Sequence, residues 1–388
     1  MRAMVLLGGG VALAACGGLD EPPLAEDTPG VLQTPSVATT TKLGFAQIDM
    51  GLATGCGVTP DAAVYCWGSN QELQLGSPGP FQRCNKTDCS DTPLRVTGLP
   101  DASAVAVGAR HACALARTGE TWCWGRGTYG ELGRAVAEDS LRPVQVQTAE
   151  RFVQLAAGAF SCGRTAEGDI YCWGAGGDAG VGSGSGGHAL LPVRIASNLA
   201  FRQVAVGDYS ACAVTDTGAV YCWGANAEGQ LGLGDLAAAS VPTLVGGALS
   251  GLAVSDIDLS GSHACALAAG RAYCWGRKIA TGDPDADNPQ WSPVAVRSDQ
   301  SFGMISAGTG YSCALTADDE SWCWGENDFY TLGDGTATDR RTPVRSKTSA
   351  RFRQVSTGFG VACGLTAPGT PYCWGFNVYG EALRPSRY

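Results

Sequence analysis

Histidine is scarce in this chain: three residues, His111, His188 and His263, among 388. A Ser-His-Asp arrangement needs a histidine between a nucleophile and a carboxylate, and three scattered ones nominate no triad. The C-x-x-C spacing of redox motifs and zinc knuckles is absent, so no metal and no cofactor is expected. Positive charge is short as well. Lys and Arg number 26 against 36 Asp and Glu, a net charge of −10, whereas a nucleic-acid surface needs a basic patch. Arg340-Arg341 comes nearest to one and reads as a solvated loop. The repeats contain no run with a sustained helical period. The glycine triplet starting at Gly8 lies in a leader segment, so it implies no phosphate loop.

What is abundant is periodic. The tripeptide CWG occurs at Cys66, Cys123, Cys172, Cys222, Cys274, Cys323 and Cys373, 49 to 57 residues apart, and many of the 56 glycines keep fixed offsets from it. A period near 50 with glycine and aromatic marks signals a repeat architecture. Each unit runs through an apolar F-x-Q-V segment, a glycine, a two-cysteine hairpin, W-G, a glycine-rich loop and a P-x-x-V segment. These short β-branched and aromatic runs between turn signals predict four strands per unit. Seven units that must hide their sheet edges predict an all-β, seven-bladed β-propeller. The fourth unit, "FRQVAVGDYSACAVTDTGAVYCWGANAEGQLGLGD", resembles the repeat of the regulator of chromosome condensation family, and the resemblance covers about residues 31–388. It implies the seven-bladed fold. The eukaryotic founder's roles as an exchange factor for the GTPase Ran and in chromatin docking are not carried over to an acidic, lipid-anchored, bacterial-type chain. Two units depart from the pattern: the fifth reads "KIATGDPDAD" where GQLG is expected, and the seventh ends in "GEALRPSRY".

No proline-led strand follows Cys373. Pro93, Pro192, Pro293 and Pro343 each precede the next unit's first cysteine by 20 residues, and Pro35 precedes Cys56 by 21. A strand near Pro35–Val37 is therefore expected to complete the seventh blade and close the ring.

The 17 cysteines divide without remainder. Seven pairs lie in the repeats: Cys56 with Cys66, Cys113 with Cys123, Cys162 with Cys172, Cys212 with Cys222, Cys265 with Cys274, Cys313 with Cys323, and Cys363 with Cys373. Setting Cys113 opposite Cys123 on adjacent strands leaves Arg117-Thr118-Gly119 as the turn, with glycine in the left-handed position. The fifth unit has one residue fewer between its cysteines, and the same register leaves a two-residue turn, Ala269-Gly270. A cross-strand disulfide in each blade follows, worth about 2.5–3 kcal/mol apiece on the chain-entropy account. Such bonds place the protein outside the cytosol. Cys84 and Cys89 pin an insertion in the first unit. A lengthened, stiffened loop there makes Phe81, Gln82, Arg83, Asn85 and Lys86 the candidate partner-binding residues.

The last cysteine is Cys16. Residues 1–15 read as a signal peptide, and "LAAC" at its end resembles the lipobox of bacterial lipoproteins, which implies that Cys16 is the acylated N-terminus. Residues 16–30 read as an acidic tether, and 31–388 as the propeller. His111 and His263 share one repeat position and read as blade packing. The seven tryptophans of CWG read as structural, and Trp291 as exposed. Asp334 and Asp339 lack the pattern of a calcium loop. The sequence thus describes a monomeric, non-catalytic binding scaffold on the bacterial cell envelope, with a protein or glycan partner; the Gly17 that follows Cys16 points to the outer membrane. Two alternatives remain: a proteinaceous enzyme inhibitor, resembling secreted propeller inhibitors of β-lactamase, and a polysaccharide-acting propeller enzyme. An enzyme would need Asp, Arg and His gathered at the channel mouth; a protein binder would show an aromatic, arginine-bearing face.

Overall fold

The computed structural model describes residues 43–177, 179–285 and 289–382. It contains seven antiparallel sheets in chain order around a ring. Blade 4 shows the plan: strands Phe201–Val206, Ser210–Thr215, Val220–Gly224 and Ala239–Leu244, counted from the axis outward. Apart from strands the described residues form two short 3-10 turns, Gly247–Leu249 and Lys278–Thr281.

The cysteine register is as the spacing predicts. Cys113 faces Cys123, Ala114 faces Trp122 and Leu115 faces Thr121. All seven blade disulfides join Cα atoms 4.0–4.1 Å apart, close to the narrow spacing of an antiparallel pair. Gly119 has φ +90°, and Asp319 (+61°) and Ala62 (+67°) hold the same left-handed place without glycine's freedom. In blade 5, Ala269 and Gly270 both have positive φ, the two-residue turn expected of the shortened hairpin.

The core lies between blades. Each of seven apolar clusters joins two neighbours; the one between blades 4 and 5, for example, combines Val214, Val220 and Leu231 with Val254, Ile257 and Trp275. Every CWG tryptophan is buried and its indole N–H donates to a backbone carbonyl of the preceding blade, at 2.8–3.2 Å. The fifth unit's departure from GQLG is therefore only one of sequence. Its 3-10 turn brings the Ala280 carbonyl to Trp324 at 3.0 Å, as Gln230 does for Trp275.

The ring is closed by packing. Phe45, Ile48, Met50 and Trp67 of blade 1 form one cluster with Val361, Leu365 and Cys373 of blade 7, and Trp67 reaches the Glu381 carbonyl at 3.0 Å. Blade 7 has three described strands, Phe352–Thr357, Val361–Thr366 and Pro371–Gly375. The expected closing strand at Pro35–Val37 lies outside the described residues, as do Cys16 and the rest of the leader and tether.

Candidate interaction face

The innermost strands surround a cavity of about 260 Å³. Their side chains bridge successive blades. Gln47 accepts from the Val105 N–H at 2.8 Å and donates to the Val105 carbonyl at 2.9 Å. Gln154 does the same for Val204, and Gln354 for Ile48. This is the meaning of the glutamine in F-x-Q-V: its amide satisfies the free edge of the next blade's inner strand, which would otherwise be left unpaired.

Three carboxylates join the same system. Asp49 accepts from the Val107 N–H (2.7 Å) and from Ser356 (3.1 Å). Asp258 accepts from the N–H groups of Leu259 and Ala307 and from the Ser306 hydroxyl. Asp256 accepts from Gln203 and from the Ile305 N–H. Burial pushes Asp49 up to about 6 and Asp258 up to about 7, the latter helped by the neighbouring Asp256 and Asp49 charges. The cluster has the raised pKa values of a functional site, yet its lone pairs are taken by blade-to-blade bonds. No histidine or arginine completes an acid-base set among the lining residues, and no group of three or more His, Cys, Asp or Glu that could hold a metal occurs among the described residues.

One end of the channel is ringed by closely packed backbone. Gly51, Gly108, Gly158, Gly207, Ser260, Gly308 and Gly358 follow the inner strands in the seven blades. A Cβ on Gly158 would lie 1.7 Å from the Gly207 carbonyl oxygen, and one on Gly51 would lie 2.2 Å from that of Gly108. At these two positions a side chain would collide with the neighbouring backbone. The N–H groups of Ala109, Ala159 and Thr309 donate to the next blade's ring carbonyl, Gly158, Gly207 and Gly358 respectively, at 2.9–3.3 Å. Blade 5 has Ser260 in this place, its hydroxyl 3.0 Å from His263 Nδ1.

The loops leaving the first and third strands of each blade rise on this glycine-ring side. They carry exposed Leu52, Tyr129, Tyr209, Phe329, Phe359 and Val378. Phe329 touches Phe376 (centroids 4.9 Å, edge-on) and Phe359 (6.4 Å), a patch across blades 6 and 7. Arg126 lies over the Tyr129 ring at 4.6 Å, and Tyr129 packs on His188. Arg110 pairs with Glu72 and Arg277 with Glu326, both at 2.7 Å.

The Cys84–Cys89 insertion belongs to the same side. It is a β-hairpin added to the outer edge of blade 1: Gln82–Cys84 pairs with Thr87–Arg95 across a turn of Asn85 and Lys86, both at positive φ. Gln82, Arg83, Asn85 and Lys86 are exposed, Arg83 being paired with Asp88 at 2.8 Å. Phe81 differs from them: it packs against the blade 1–2 core and anchors the hairpin. The base of the hairpin meets blade 7, where a Cβ on Gly380 would lie 2.6 Å from Asp91 Cα. The aromatic patch was invisible in sequence, because Phe329, Phe359 and Phe376 belong to different loops and no repeat position unites them.

The other singled-out residues are structural. His111 Nε2 meets the Ser161 hydroxyl at 2.6 Å and His263 Nε2 that of Ser312 at 2.7 Å, each across a blade interface. Burial lowers their pKa to about 4 and about 3. Asp334 pairs with Arg340 (2.9 Å), and Asp339 accepts from the Asn327 N–H (2.8 Å), so both brace their own loop. Trp291 is exposed on the outer strand of blade 5.

Seven radial sheets, a core between blades and a disulfide in each blade define a disulfide-braced β-propeller. The family follows from comparison: the RCC1-like domain profile matches residues 13–363, and the chain belongs to that family. Among curated relatives, the E3 ubiquitin-protein ligase HERC2 of Homo sapiens is 27% identical over 333 residues, which is 81% of this chain and 6% of the ligase. The ultraviolet-B receptor UVR8 of Arabidopsis thaliana is 34% identical over 116 residues, 29% of this chain and 25% of the receptor. The chain thus spans only a small part of these relatives. Among solved structures, human WBSCR16 superposes with a TM-score of 0.74 at 22% identity, covering 82% of this chain and 86% of that one. Yeast RCC1 (Prp20), solved bound to Kap60, gives 0.71 at 22% identity, covering 92% and 91%. At this identity the likeness is one of fold.

Proposed function

We propose that this propeller is a protein-binding scaffold, and that it binds through its glycine-ring face. The observation that carries the reading is the aromatic patch of exposed Phe329 and Phe359 with half-buried Phe376, beside the disulfide-pinned hairpin. Exposed aromatic clusters with arginines nearby supply the anchors of protein interfaces. A catalytic role lacks comparable support, since the channel carboxylates are engaged by neighbouring backbone. A glycan-stacking ring of CWG tryptophans lacks it too, since those rings are buried. An inhibitor that covers a partner enzyme with this face is a special case of the same reading.

The scaffold is further proposed to act at the bacterial cell envelope, held by a diacylglycerol on Cys16. Eight disulfides suit an oxidising compartment, and the lipobox resemblance supplies the anchor. The test is affinity capture from the source organism's envelope and secreted fractions, with the oxidised protein and a Phe329→Ser/Phe359→Ser variant immobilised in parallel. A stoichiometric protein retained by the first and lost by the second is expected. Equal retention would refute the assignment of this face.

A further inference from the structure

At the centre of the glycine-ring face is a shallow depression. Leu52 and Phe359 form apolar parts of its wall, Asp208 lies on the same rim, and the glycine ring lines its neck. Leu52 and Phe359 are 38% and 40% exposed, so both offer surface to a visitor. The Asp208 carboxylate has no hydrogen bond or ion pair to any described residue; the residue is exposed to solvent, and the loops around it shield it only enough to raise its pKa. The arginines on neighbouring loops are not at its disposal: Arg110 is held by Glu72, Arg126 by Glu131 at 3.8 Å, and Arg277 by Glu326. The depression therefore combines apolar wall with one uncompensated negative charge. The complementary group is a long side chain with an apolar stem and a cationic head. Its stem would start against Leu52 and Phe359, on the adjoining blades 1 and 7, and its head would reach across the ring to Asp208 on blade 4. The depression adjoins the aromatic patch through Phe359, whose ring touches Phe329.

We propose that the depression receives a basic side chain of the partner polypeptide, an arginine or lysine next to an aromatic residue that seats on Phe329 and Phe376. This deepens the proposed function and rests on it, by naming the chemistry that the face selects.

The test does not need the natural partner. The full-length oxidised protein, with its leucine methyls labelled, is titrated with the peptide acetyl-Phe-Arg-Phe-amide and with its twin carrying citrulline, which keeps the shape of arginine and lacks its charge. The expected result is a saturable shift of the Leu52 methyls by the arginine peptide and a roughly threefold weaker response to the citrulline peptide, since a charge pair at an exposed carboxylate accounts for a factor of that order. Asp208→Asn should bring the arginine peptide down to the citrulline level, and Phe359→Ala should weaken both peptides. Equal binding of the two peptides, or an Asp208→Asn protein that binds the arginine peptide unchanged, would overturn the basic-side-chain assignment and leave the face reading standing. No Leu52 shift with either peptide up to about 10 mM, a concentration at which even millimolar binding shows, would also overturn it. Failure of the face reading shows elsewhere, as a captured partner indifferent to the Phe329→Ser/Phe359→Ser variant.

Discussion

Adding one methyl group to the glycine ring tests the closed architecture most directly. In Gly158→Ala the new Cβ would start 1.7 Å from the Gly207 oxygen, whereas carbon and oxygen approach no closer than about 3.3 Å even in a favourable C–H···O contact. Blades 3 and 4 must separate by more than an ångström at this point. Among the blade-to-blade hydrogen bonds on the inner side of this seam are Gln154 Nε2 to the Val204 carbonyl (3.0 Å), the Val204 N–H to Gln154 Oε1 (3.2 Å), and the Ala159 N–H to the Gly207 carbonyl (3.3 Å). At about 1 kcal/mol each, together with the cost of overpacking, the loss comes to roughly 3–5 kcal/mol. A ring of this size loses about 1.4 °C of Tm per kcal/mol, so the melt should fall by ~4–7 °C. Gly303→Ala is the control. It lies on the inner strand of blade 6 with nothing within 4 Å of an added Cβ, and its Tm should stay level or rise slightly. Near-ultraviolet circular dichroism melts with the disulfides intact read both. If the two variants melt alike, the close-packed glycine ring is not what holds blades 3 and 4 in place.

Stability should rise as pH falls from 8 to 6.5. Asp258 and Glu381, both raised by burial to about 7, and Asp49, raised to about 6, take up protons in the folded state before the unfolded chain does, so folding is favoured as pH falls through those values. His111 and His263, lowered by burial, oppose this increasingly as pH approaches their unfolded value near 6.5, and the two raised carboxylates near 7 outweigh them down to that point. Asp258→Asn should flatten the Tm-against-pH curve between 8 and 6.5, and an unchanged slope would contradict the assignment. Replacing the blade 4 pair, Cys212→Ser with Cys222→Ser, should cost on the order of 3 kcal/mol in denaturant unfolding; a loss well under 1 kcal/mol would show that the hairpin is held by packing alone. Deleting residues 31–40 should lower Tm if Pro35–Val37 supplies the outer strand of blade 7, and an unchanged melt would refute that closure.

Much of the architecture was legible because it repeats. The CWG spacing fixed the number of blades, and the cysteine spacing fixed the hairpin register even where blade 5 drops a residue, since opposed positions must keep their pairing when a turn shortens. The repeat place of His111 and His263 pointed to packing before their serine partners were visible. In contrast, "KIATGDPDAD" reads as a departure in sequence, although its backbone still supplies the Ala280 carbonyl to Trp324; carbonyl position does not depend on side-chain identity.

By itself the sequence determined what local chemistry determines: strands, turns, disulfide pairs and the count of blades. Tertiary structure alone decided which distant groups share a surface. It gathered Phe329, Phe359 and Phe376 from different loops, set Asp208 on the same rim as Leu52, and turned the Cys84–Cys89 insertion into a hairpin against blade 7. It also showed that the channel carboxylates bridge blades. The physical reason is that ring closure juxtaposes loop tips from all round the chain, and neither periodicity nor spacing encodes which tips will meet.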